Sequence, residues 1–95
     1  VKQSEISDEF RRVLQSWSAE SEIRDCSNLL AIIQFGSTTR GVIKKQTDLD
    51  LLFIYKKLAE NSFDKYKETD FLLKNLDKEL EKFKNIILAF FLRQL

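Results

Sequence analysis

Ninety-five residues, 43% hydrophobic and 33% charged, suffice for one domain with an apolar core and exclude wholesale disorder. Sixteen basic residues against fifteen acidic ones leave a net charge of +1, too weak a field to announce a nucleic-acid or membrane partner, although nucleic acid stays open. One cysteine, Cys26, and no histidine exclude an internal disulfide, a Cys/His zinc set and a histidine-based triad.

Over residues 4–22 the apolar side chains Ile6, Phe10, Val13, Leu14 and Trp17 recur at steps of three and four, which predicts a surface helix capped by Ser4 or Ser7. Trp17 falls on its apolar stripe and reads as core. Residues 28–35 then form a short continuous apolar run closed by a glycine, the pattern of a buried strand. Both glycines of the chain lie in Gly36-Ser37-Thr38-Thr39-Arg40-Gly41, so the backbone here turns tightly or approaches something closely.

The run Asp48-Leu49-Asp50-Leu51-Leu52-Phe53-Ile54-Tyr55 predicts a second strand. Asn61 or Ser62 can cap a helix with apolar positions Phe63, Tyr66, Leu72, Leu73, Leu76, Leu80 and Phe83, ending near Lys84. Residues 86–92 are a third apolar run, read as a strand, although periodicity alone also allows a buried helix. That run is far short of the roughly 20 residues of a membrane-spanning helix, and no signal-peptide pattern opens the chain, so a cytoplasmic location without membrane contact is expected.

Two features carry chemistry. The Gly36-Ser37 turn exposes backbone amides and a hydroxyl, which can receive phosphate oxygens, with Thr38, Thr39 and Arg40 as extensions of the cradle; a plain turn is the competing reading. Asp48 and Asp50, two apart on a strand, put both carboxylates on one face. Like charges so placed repel unless solvated at a strand end or bridged by a cation, and hard oxygen donors at this spacing suit Mg²⁺. Lys44 and Lys45 lie between the two features and read first as a solvated loop, with contact to a triphosphate or a nucleic-acid backbone as the competing reading, while Cys26 has no visible partner that would stabilise a thiolate.

Phe35-Gly36-Ser37-Thr38-Thr39-Arg40-Gly41 followed by Thr47-Asp48-Leu49-Asp50-Leu51-Leu52 resembles the signature of the DNA polymerase β nucleotidyltransferase superfamily, closest to its minimal nucleotidyltransferases. The resemblance implies an α/β (α+β) fold with a small mixed sheet flanked by helices, in the order α-β-β-α-β. It implies transfer of a nucleoside monophosphate from a triphosphate, ATP foremost, to an acceptor with release of pyrophosphate. Gly36, Ser37 and Arg40 would bind the nucleotide, and Asp48 and Asp50 would hold two Mg²⁺ ions and carry catalysis. A HEPN-type toxin is the protein partner that the minimal members suggest.

Active members of the superfamily carry a third carboxylate on the following strand, whereas no acidic residue follows Glu81 here. With no methionine at position 1 and an apolar end, residues 1–95 are expected to be one nucleotidyltransferase domain excerpted from a longer chain, with that carboxylate beyond Leu95. The alternatives are substitution by Asp70 or Asp77, or a catalytically silent domain of the same fold that binds nucleotide or a protein partner.

Overall fold

The computed structural model of the protein describes residues 3–36, 38, 47–83 and 86–95. Its elements run α1 (Gln3–Ser18), α2 (Ser21–Arg24), β1 (Leu29–Phe35), β2 (Thr47–Tyr55), α3 (Ser62–Leu80) and β3 (Ile86–Gln94). The mixed α+β class and the helix-flanked sheet are as expected from the sequence, and the third apolar run is a strand. Among the described residues no helix is long and apolar enough to cross a membrane.

Three strands form one sheet in the order β1-β2-β3. β1 pairs antiparallel to β2, with a register shift between Leu29 and Ala31, and β3 pairs parallel to β2 along its whole length. A parallel neighbour requires a crossover, and α3 supplies it. Along β2 the alternation of a strand divides the sheet into two faces. Leu49, Leu51, Phe53 and Tyr55 are buried on one, and Asp48, Asp50, Leu52 and Ile54 occupy the other.

α1 and α3 cover the first face. Phe10, Val13 and Trp17 from α1 meet Leu72, Leu73, Leu76 and Leu80 from α3 and the four buried β2 residues in a single core. Two buried polar links fix the helices. Trp17 Nε1 donates to the Leu72 carbonyl at 2.8 Å, and the Tyr55 and Thr69 hydroxyls lie 2.5 Å apart. Burial pushes the Tyr55 phenol up to about 12, and the hydrogen bond to Thr69 partly offsets that.

Four local expectations need correction. The first helix stops at Ser18, and Ile23 is carried by the short α2 instead. Six residues on from Trp17, Ile23 would lie about 240° around a continuous helix, away from the core, so the chain breaks at extended Glu20 to bury it. Ser4 and Ser7 lie inside α1, not at its cap. Asn61 does cap α3, accepting from Phe63 N at 2.8 Å and Asp64 N at 3.2 Å, but α3 ends at Leu80 and Phe63 is exposed. Phe63 lies about 220° from Leu76 on the helix wheel, and Thr69 takes the core-facing position. Finally, β1 is an edge strand with Leu30, Ile33 and Phe35 exposed, because the described helices cover only one side of the sheet.

Candidate functional site

At the end of β1 the chain turns through Gly36, whose φ of +81° lies in the left-handed region that favours glycine. In register, Phe35 faces Asp50 across the β1–β2 pair. A β-carbon placed on Gly36 would fall 2.5 Å from Asp50 Oδ2. The glycine is therefore needed twice, once for its backbone angle and once because the carboxylate of Asp50 comes up against the turn. The turn of the glycine motif and the second aspartate are thus in direct contact range. Asp48, two residues earlier, shares the face and is exposed, while Asp50 is half-buried.

Thr38, read in the sequence as an extension of the cradle, is held within the fold. It is buried, and its hydroxyl accepts from Gln34 Nε2 at 3.1 Å, which ties the start of the turn back to β1. Gln34, a polar residue within an apolar run, was the available sequence signal for this link. Ser37 and Arg40, the other nucleotide-binding candidates, lie outside the described residues, as do Thr39, Lys44, Lys45, Lys84 and Asn85.

The helical aspartates are on the wrong side. α3 packs on the Leu49–Tyr55 face through Thr69, Leu72 and Leu76, and Asp77 borders a cavity with Ile86 and Leu88 on that same side. Asp70, also on α3, is exposed. Neither residue reaches the face that bears Asp48 and Asp50. Among the described residues no group of three or more His, Cys, Asp or Glu side chains is placed to hold a metal ion.

Cys26 is not part of the site. Its thiol donates to Glu68 Oε1 at 3.0 Å, and burial, followed by that hydrogen bond, raises its pKa. A raised pKa keeps it a thiol and a poor nucleophile.

The described residues thus form a mixed sheet with helices packed on the Leu49–Tyr55 face and, on the other face, a glycine turn against one of two aspartates. The profile of the nucleotidyltransferase domain family matches residues 11–92, and the chain belongs to that family. This agrees with the resemblance to the polymerase β-type superfamily. No curated protein and no solved structure matches the chain significantly.

The donors of Asp48 and Asp50 are of the kind that a hard divalent cation takes. Two hard carboxylates stand on one face, and that of Asp50 lies against the Gly36 turn.

Proposed function

We propose that the open face binds a nucleoside triphosphate, ATP foremost, with Mg²⁺ at Asp48 and Asp50 and its phosphates against the Gly36-Ser37 turn, and that the domain serves nucleotidyl transfer in the cytoplasm. The observation that carries this reading is the approach of Asp50 to Gly36, which joins the metal-ligand candidates to the phosphate-binding candidate. Membership of the nucleotidyltransferase domain family supports the reaction class.

In this reading an acceptor oxygen bonds to the α-phosphorus, the bond from that phosphorus to the bridging oxygen breaks, and pyrophosphate leaves with the bridging oxygen. The acceptor's proton must pass to a base. Bound Mg²⁺ supplies charge neutralisation and orientation of the phosphate oxygens. Asp48 and Asp50 would hold the cation and so orient the triphosphate, and the Gly36 turn, in contact range of Asp50, would lie beside its phosphates. By resemblance to the superfamily that base would be a third carboxylate, and no acidic residue follows Glu81 in this sequence. By resemblance to the minimal nucleotidyltransferases, the acceptor hydroxyl belongs to a HEPN-type partner protein.

Incubation of labelled nucleoside triphosphates and Mg²⁺ with the protein, alone and with a co-encoded partner, tests this. Label on the partner is the expected result. Nucleotide binding with no transfer in either case would select the catalytically silent alternative.

A further inference from the structure

The parallel register of β3 sets Ile87 beside Asp48 and Ala89 beside Asp50. In-register neighbours on adjacent strands project to the same face, so both share the open face with the carboxylates. On the other side of β2, Phe35 is the partner of Asp50. The two aspartates are thus flanked across the sheet by alkyl and aromatic side chains. Ile87 is 59% exposed, so burial does not account for an isoleucine at this position.

We infer that Ile87 restricts this face to a single divalent cation, the one that accompanies the triphosphate; the inference rests on the nucleotide reading above. One such ion can satisfy its preference for oxygen with Asp48, Asp50, the phosphates and water. A second ion in a two-metal arrangement sits about 4 Å from the first and is repelled by it. It stays only where further anionic oxygens face it, and on the acceptor side it is remote from the terminal phosphates. There the nearest position on the adjacent strand, about 4.8 Å away across the sheet, offers an alkyl group. A carboxylate at residue 87 would supply the missing oxygens, and the exposure of Ile87 leaves room for it.

Mn²⁺ titration followed by electron paramagnetic resonance, on residues 1–95 saturated with a nonhydrolysable ATP analogue, counts the ions. The wild-type chain is expected to hold one Mn²⁺ per bound nucleotide. Ile87→Asp is expected to hold two, with the line broadening of closely coupled ions, and Ile87→Asn one. Ile87→Glu serves as the second carboxylate variant, and thermal melting confirms that each variant is folded. Two ions on the wild type, or one ion on both folded carboxylate variants, would overturn the inference. A wild-type chain that binds no nucleotide with Mn²⁺ present would overturn the nucleotide reading itself, and the ion count with it.

Discussion

Gly36 and Asp50 are in van der Waals conflict with any residue larger than glycine at position 36, since a β-carbon there would meet Asp50 Oδ2 at 2.5 Å. Gly36→Ala therefore imposes two penalties. The left-handed backbone costs an L-residue about 1–2 kcal/mol, and the clash displaces the carboxylate. We expect a melting temperature lower by roughly 4–8 °C per kcal/mol lost for a domain of this size. Calorimetry should also show weaker Mg²⁺-dependent nucleotide binding. A variant that melts lower yet binds nucleotide normally would separate the turn from the site.

Neutralising the aspartate pair should move stability and binding in opposite directions. Asp48→Asn and Asp50→Asn each remove one side of a same-face repulsion, so the apo domain is expected to melt at the same temperature or slightly higher. Nucleotide affinity in Mg²⁺ is expected to fall at least about tenfold, or about 1.4 kcal/mol, and to lose its magnesium dependence in the double variant. Titration with a nonhydrolysable triphosphate, with and without Mg²⁺, reads both effects.

Trp17→Phe isolates a single buried hydrogen bond. Most of the ring contact with Phe53 is retained, but the Leu72 carbonyl loses its indole donor. A loss of about 1–3 kcal/mol is expected, the cost of an unsatisfied buried acceptor, measurable by urea denaturation. Nucleotide binding should be unchanged, because Trp17 lies on the helix-covered face.

Tyr55 gives the fold a specific alkaline limit. Its folded-state pKa, about 12, lies above the ordinary value of 10, so folding favours the protonated phenol. That contribution is fully present below pH 10 and is lost as pH rises through about 12. Tyr55→Phe, which keeps the ring and leaves the Thr69 hydroxyl without this partner, should be less stable than wild type at pH 8 by about 1 kcal/mol. The difference should shrink or reverse above pH 11. Denaturant melts of both proteins across pH 8–12 test this, and parallel curves would refute the titration of Tyr55.

Much of this protein was legible in one dimension. The apolar stripe of α1, the two apolar strand runs on either side of the glycine loop and the Asn61 cap are local patterns whose period and turn chemistry act within a few residues. The alternation in β2 likewise placed Asp48 and Asp50 on one face before any fold was known, and glycine at position 36 followed from the turn it had to make. Other facts depend on which segments meet. Only the packing of α3 on the Leu49–Tyr55 face decides that Asp70 and Asp77 stand behind the sheet, and only the parallel register of β3 puts Ile87 and Ala89 beside the carboxylates. The break before α2 and the core position of Thr69 have the same origin. Periodicity reports which face of an element is apolar; which partner lies against that face, and in what register, is set by long-range packing between segments far apart in the chain.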